Sequence, residues 1–188
     1  YIKRPINSLS DMRSLKIRSY NAMLSRLIQL MGGVPTSVES SDIAQAFSTG
    51  MIDSMMTSPS TGVSSQCWDY VNYYYDFQAW IPKNVVFVNK DFFDAQPKTT
   101  QALILKAAQA AEQRGWELSQ KETESKLAIL QKNGVKVMSP SAQLLAELTE
   151  IRQQMAKEWQ EKAGVSGERI LKKYEELLQQ APPQTTSM

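Results

Sequence analysis

The sequence predicts an α/β protein built around a parallel sheet. Within the first 57 residues, three short strand patterns alternate with two amphipathic helix patterns, in the order β-α-β-α-β. Parallel neighbours need a crossover connection, usually a helix, and this order provides two of them. A fully apolar run at residues 85–88 (Val-Val-Phe-Val) is typical of a strand buried on both faces. Long helical patterns occupy the second half of the chain.

The first strand pattern ends in an arginine. Leu15 and Ile17 alternate with Lys16 and Arg18, as in a half-buried strand, and Asn21 is a natural N-cap for the helix that follows. Ligands of open α/β sheets gather at the carboxyl ends of the strands. A guanidinium there can hold a carboxylate through two parallel hydrogen bonds. Arg18 is therefore a candidate anion-binding residue, and the alternative is an ordinary solvated arginine at a strand end.

The rest of the first half follows from turn residues and periodicity. The helix begun at Asn21 ends at Gly32-Gly33, and a helix capped by residues 40–42 ends at Gly50. We expect the remaining elements in this order: a strand at 34–38, a strand at 51–57, a loop at 58–62, one or two helical turns at 63–68 and a tyrosine-rich strand at 71–77.

The second half begins with a stretch at 80–84 that we interpret as an edge, a crossing point or a hinge, because Pro82 cannot donate within a central ladder. After the run at 85–88, a long helical pattern with Gly115 in its middle extends from Pro97 to Asn133-Gly134. A brief strand at 135–137 follows. Two further helices are expected, one from Ser139-Pro140 to Gly164 and one from Ser166-Gly167 to the Pro182-Pro183 stop. Their apolar stripes are interpreted as core-facing.

Composition excludes several classes of function. The chain has 188 residues, 42% of them hydrophobic, which is enough for a real core. Its net charge of +2, with basic and acidic residues interleaved, gives no reason to expect nucleic acid as a partner. With no histidine, Ser-His and Cys-His nucleophile pairs are excluded. Cys67 is the single cysteine, so no internal disulfide can form. No apolar run has the length of a membrane span, and the start is not a secretory signal.

An enzyme is not expected either. Asp53, Asp69 and Asp76 are close in sequence, but nothing in the spacing places two of them across a substrate. No phosphate-binding loop or nucleophile motif is present.

Three motifs, taken in order, carry a resemblance to a known family. They are Leu15-Lys16-Ile17-Arg18, then Ala-Phe-Ser-Thr-Gly-Met-Ile-Asp at 46–53, then Val-Asn-Lys-Asp-Phe-Phe-Asp at 88–94. Followed by a long alanine-rich helix, a Gly-Val-Lys-Val strand and terminal helices, they resemble the solute-binding subunit of TRAP transporters, the DctP type. The resemblance covers nearly the whole chain.

The resemblance implies a periplasmic-binding-protein-like (type II) two-lobe α/β fold, here one nearly complete lobe plus part of the other, with long C-terminal helices. It implies a second-lobe unit at 1–82, a crossing strand and long helix of the first lobe at 83–138, C-terminal helices packing back at 139–181 and a polar tail at 182–188. Family members are longer, so a secretory signal is expected upstream and the location periplasmic. For the piece alone we expect dimerisation or domain swapping.

The resemblance also implies the function and its site. The chain would capture an organic acid anion by lobe closure, with a small carboxylate and the membrane subunits of a TRAP transporter as partners and no cofactor. Arg18 matches the family's arginine that pairs with the ligand carboxylate, and Asn21 matches a position near the ligand. Thr57 stands where many members have asparagine, and Met55 with Met56 makes a metal-assisted site unexpected. The remaining expected contacts are Met56, Ser58, Trp80 and Asn84.

Two alternatives stay open from the residues. One is a helical protein-protein interaction module built on residues 95–181, and the other is a fragment that binds nothing.

Overall fold

The computed structural model describes residues 1–77 and 84–180. Its strands are short, and two very long helices dominate the second half. The strands are β1 (Lys16–Ser19), β2 (Val34–Ser37), β3 (Ser54–Met55), β4 (Tyr73–Tyr75) and β5 (Lys136–Met138). The helices are α1 (Ala22–Leu30), α2 (Ile43–Ser48), α3 (Pro59–Ser64), α4 (Lys90–Asp94), α5 (Lys98–Lys132) and α6 (Ala142–Gln180). Single 3₁₀ turns lie at Leu9–Met12, Ser40–Asp42 and Cys67–Asp69.

The strands are parallel to their neighbours, as the β-α-β-α-β order predicts. One group has the order β2-β1-β3 and the other pairs β4 with β5. Ile2 joins the two groups, because it bridges Ser54 of β3 and Tyr73 of β4 in the antiparallel sense. The carboxyl ends of β1, β2 and β3 therefore meet at one edge, where a ligand site is expected.

Helices cover both faces of this sheet. On one face, Ile17 packs in a cluster with residues of α1 and with Leu144 and Ile151 of α6. On the other face, Phe47 of α2, Met55 of β3 and Leu130 of α5 form a second cluster. The two faces follow from the period of two along each strand, which sends Ile17 and Arg18 to opposite sides. Cys67 belongs to the second cluster, and burial raises the pKa of its thiol to about 11.

One expected loop is a helix. Residues 58–62 were predicted as a loop from their Ser, Pro and Gly content, but α3 spans Pro59–Ser64. Ser58 is its N-cap, accepting a hydrogen bond at 3.2 Å from the Thr61 nitrogen, and Pro59 occupies the first turn. Gly62 allows close packing, since a Cβ there would lie 2.2 Å from the Tyr1 hydroxyl. Ser and Pro are common in loops and also at the first positions of helices, so the composition of 58–62 did not distinguish a loop from the start of α3.

The expected buried strand at 85–88 is wrong. The four residues lie outside every strand of the described chain and are strongly exposed, from 51% for Val88 to 102% for Val86. The third strand is also shorter than the predicted 51–57, because only Ser54–Met55 pair with β1. Asn89 caps α4, which lies within the third family-like motif at 88–94. Apolar content predicted burial at 85–88, but a strand needs a neighbour to pair with.

The expectation that the helical stripes face a core is correct only for parts of α5 and α6. Leu130 near the end of α5 and Leu144 and Ile151 near the start of α6 are buried. In contrast, residues 103–118 of α5 and the end of α6 expose large apolar side chains, among them Leu103, Leu105, Trp116, Leu118, Ile170, Tyr174, Leu177 and Leu178. Both helices are longer than the sheet they pack on, so their distal turns extend past it.

The predicted boundary between the last two helices is a break inside α6. Gly164 has φ of 60° and ψ of −146°, while the residues around it remain helical. None of the helices within 1–77 and 84–180 combines the length and the apolar character needed to cross a lipid bilayer.

Candidate ligand-binding site

Arg18 is buried at the carboxyl edge of the sheet. Its side chain is 2% exposed, and it lies beside Thr36 on β2 and Met55 on β3 in the strand register. Its Nε donates a hydrogen bond to the Val38 carbonyl at 2.8 Å, and its Nη2 donates to the Ser40 hydroxyl at 3.2 Å. The guanidinium therefore lies over the end of β2. Arg18 is therefore buried, and the alternative prediction of an ordinary solvated arginine at a strand end is wrong.

The charge of Arg18 has no ion-pair partner among the residues that the structure describes. Burial lowers the pKa of Arg18 below its ordinary value, and the nearby Tyr20 and Glu39 act in the opposite direction. Arginine remains protonated at neutral pH even so. A buried cation that is hydrogen-bonded to a carbonyl and a hydroxyl, with the carboxylate of Glu39 nearby but not paired with it, would be stabilised by an arriving anion.

Three residues around Arg18 were not predicted. They are Val38 and Ser40, which accept its hydrogen bonds, and Tyr20, whose ring centroid is 5.2 Å from the guanidinium carbon. A usable signal was present in the sequence. The strand at 34–38 follows the Arg18 strand through one helix, so the two were expected to be parallel neighbours whose carboxyl ends lie together.

Four of the other expected site residues follow strands of the same sheet edge, Asn21 after β1 and Met56, Thr57 and Ser58 after β3. Asn21 is exposed and its side chain caps α1, accepting from the Leu24 nitrogen at 2.8 Å. Met56 and Thr57 follow β3 and are partly buried, and Ser58 caps α3. Asn84 is exposed. Trp80 lies outside the described residues.

The surroundings of α2 form a shallow depression of about 490 Å³. It is lined by side chains of the β2 end and α2, including the acids Glu39 and Asp42. Two carboxylates make this depression a poor place for an anion, and the guanidinium of Arg18 is not among its lining groups. In the described part of the chain, no cluster of three or more His, Cys, Asp or Glu side chains could hold a metal ion.

One protein family matches most of the chain. Residues 2–163 match the family described as bacterial extracellular solute-binding protein, family 7, or DctP. The chain belongs to this family. The resemblance carried by the three sequence motifs is thereby confirmed, and members of the DctP family are solute-binding receptors and not enzymes.

Solved structures show the same α/β fold. A DctP7 receptor of Bordetella pertussis, described as binding pyroglutamic acid, is 43% identical with a TM-score of 0.85, over 93% of this chain and 58% of that one. DctP6 of the same organism, also described as binding pyroglutamic acid, is 40% identical with a TM-score of 0.87, over 94% and 58%. A marine metagenome TRAP solute-binding protein, described as specific for pyroglutamate, is 28% identical with a TM-score of 0.84, over 94% and 58%.

A curated relative from Albidiferax ferrireducens, named a solute-binding protein, is 23% identical over 73% of this chain and 42% of its own length. The chain thus spans roughly half the length of the relatives it matches. Its fold is the expected two-lobe binding-protein type, of which it represents a part.

Proposed function

We propose that this chain carries the anion-binding part of an extracytoplasmic receptor that captures a small organic acid for a TRAP transporter, with the ligand carboxylate paired to Arg18. The observation that supports this most directly is the buried guanidinium at the sheet edge, which forms no salt bridge with any described carboxylate, Glu39 included. A ligand carboxylate would supply the missing countercharge through charge-assisted hydrogen bonds.

Pyroglutamate is the ligand we propose. Three solved relatives at 28–43% identity are described as binding it. It carries one carboxylate, which suits one unpaired arginine, on a compact ring of modest polarity. Met56, which follows β3 and packs against the adjacent core, suits such a ring better than a polyhydroxylated sugar acid.

The remaining expected contacts complete the proposal. Asn21, Thr57, Ser58 and Asn84 would donate or accept hydrogen bonds with the ring, and Met56 and Trp80 would contact its apolar part. Binding would close two lobes over the ligand, because the ligand stabilises the state in which it makes more contacts. The closed receptor would deliver the acid to membrane subunits from the periplasm.

The test is calorimetric titration of the full-length protein with pyroglutamate. Arg18→Ala should weaken binding by roughly ten- to a hundredfold, since a hydrogen-bonded pair of charges is lost. Arg18→Lys should recover only part of the affinity, because an ammonium cannot form the two parallel bonds. Arg13→Ala is the matched control. It removes the same charge from an exposed residue at the opposite end of β1 and should leave affinity unchanged.

Equal affinity of the Arg18→Ala variant and the wild type would overturn the proposed anchor. Binding of a different carboxylate at Arg18, with no response to pyroglutamate, would keep the anchor and replace the ligand.

A further inference from the structure

The two hydrogen bonds of Arg18 involve one particular edge of its guanidinium. Nε and Nη2 form the side-on edge of the group, and both donate to protein oxygen atoms, at Val38 and Ser40. A planar guanidinium offers a second edge with fork geometry, made of Nη1 and the outer hydrogen of Nη2. No protein acceptor among the described residues is bonded to Nη1.

We propose that Ser40 is a positioning residue that orients Arg18 so that the ligand carboxylate binds end-on, across Nη1 and Nη2. The inference rests on the proposed function of Arg18 as the ligand anchor. Ser40 does not need to touch the ligand. Its hydroxyl accepts from Nη2 at 3.2 Å and fixes the rotation of the guanidinium together with the Val38 carbonyl at 2.8 Å.

The backbone supports the two acceptors. The Val38 nitrogen donates to the Ser19 carbonyl at 3.3 Å, which extends the β1–β2 ladder by one residue and fixes the Val38 carbonyl in place. Ser40 begins the 3₁₀ turn Ser40–Asp42 directly afterwards. Both acceptors therefore lie within three residues of the end of β2, the neighbour of the strand that carries Arg18.

Tyr20 restricts the same group from a different direction. Its ring lies with its centroid 5.2 Å from the Arg18 guanidinium carbon, within the range of a cation–π contact. The Tyr20 ring covers one face of the guanidinium, and Val38 and Ser40 occupy its Nε–Nη2 edge. The Nη1–Nη2 edge is left as the site for a carboxylate. A side-on ligand would have to displace both acceptors and leave them unpaired.

Ser40 can be substituted without altering the core, because it is exposed and lies outside both core clusters. Its loss should not disturb folding. We expect Ser40→Ala to weaken pyroglutamate binding by about five- to tenfold in the full-length protein, in line with the loss of one hydrogen bond to a charged group. Ser40→Thr keeps the hydroxyl and should restore affinity. The thermal midpoint of the ligand-free protein should be the same for all three.

Ser41→Ala is the matched control, since Ser41 is exposed in the same turn and its hydroxyl donates to Asp42 instead of accepting from Arg18. It should bind like the wild type. A crystal structure of the complex with the carboxylate on Nη1 and Nη2 would give direct support.

The outcomes separate the two proposals. If Arg18→Ala weakens binding as expected while Ser40→Ala binds like the wild type, or if the carboxylate lies on Nε, the positioning role is overturned and the anchor stands. If Ser40→Ala lowers the midpoint of the free protein and Ser40→Thr fails to restore affinity, Ser40 is merely structural and the inference fails. If Arg18→Ala binds like the wild type, the anchor fails and the positioning role fails with it.

Discussion

Two glycines in the long helices face different backbone requirements. Gly164 interrupts α6 with φ of 60° and ψ of −146°, near a region that only glycine adopts readily. Gly115 lies inside α5 without a positive φ, and a Cβ at either position would meet no atom within 4 Å. Space is therefore equal at the two sites, and only the backbone conformation differs.

We predict that Gly164→Ala destabilises the full-length protein by about 1–3 kcal/mol, because alanine is strained in that conformation. Gly115→Ala should stabilise it by up to about 1 kcal/mol, because alanine is the better helix former. Denaturant midpoints of the two variants and the wild type measure both effects. A stabilising Gly164→Ala would mean that α6 can straighten into one continuous helix.

Arg18 shows how far residue-level reasoning reaches. The alternation of Leu15, Lys16, Ile17 and Arg18 correctly predicted a strand with Ile17 buried, and it placed Arg18 at the carboxyl end. It did not predict that Arg18 would itself be buried, or that Val38 and Ser40 would bind it. Those contacts depend on how far β2 extends beside β1, which is a property of the pairing and not of either segment alone.

At the scale of elements, α6 is attached to the sheet domain by apolar and polar contacts along its first half. Leu144 and Ile151 pack in the core beside α1, and Arg26 of α1 forms a bidentate pair with Glu158, at 3.0 Å and 2.5 Å. Glu147 accepts a hydrogen bond from the Leu9 nitrogen at 2.6 Å. The pair with Arg26 is the last of these contacts before the break at Gly164.

The Arg26–Glu158 pair should make stability depend on acid pH. The hydrogen bonds from Arg26 lower the pKa of Glu158 from 4.5 to about 2. A lowered folded-state pKa contributes stability that is complete above pH 4.5 and is lost as the pH falls toward 2. We therefore predict that Glu158→Gln lowers the thermal midpoint at neutral pH and flattens its decline over that acid range.

Glu176→Gln is the control for this prediction, because Glu176 pairs with Lys173 within α6 itself, at 3.2 Å, and joins no second element. Its thermal midpoint should follow that of the wild type at each pH. An identical acid profile for Glu158→Gln and the wild type would show that the pair does not stabilise the docking of α6.

The segment at 85–88 shows that an apolar run alone does not predict a strand. Four consecutive apolar residues satisfy the pattern of a buried strand, yet Val86 is fully exposed and no partner strand lies beside it within the described chain. The pattern specifies what the segment can bury, and pairing requires a neighbour that the pattern cannot supply.

At the scale of the whole molecule, exposed apolar side chains concentrate in three places: residues 85–88, residues 103–118 of α5 and the last turns of α6. Monomeric proteins rarely expose contiguous apolar surface of this kind. The chain also spans only 58% of the length of the solved relatives described above. Dimerisation or domain swapping of this chain by itself stays a prediction. The division of the chain into a second-lobe unit up to residue 82, a first-lobe part up to residue 138 and C-terminal helices also stays a prediction.

We predict that the 188-residue chain alone self-associates through residues 85–88. The backbone of 85–88 forms no hydrogen bond with the backbone of another described residue, and an exposed apolar segment of that kind is a template for strand pairing. Val86→Ser with Phe87→Ser should shift the chain toward monomer in light scattering after size exclusion. Leu103→Ser with Leu105→Ser is the control, since these side chains are 68% and 61% exposed on a helix that cannot add a strand. Equal loss of association in both variants would indicate nonspecific association of exposed apolar side chains instead of strand pairing.

The sequence by itself determined the class of the fold, the parallel direction of its first three strands, the break at Gly164, the DctP family and the position of Arg18 on its strand. These features are local or periodic, so they can be recognised in short stretches of chain. Only the tertiary structure decided that Arg18 is buried beside Val38, Ser40 and Tyr20, that residues 85–88 lie exposed, and that the long helices bury only parts of their stripes. Burial depends on which surfaces come together, and residues distant in sequence supply those surfaces.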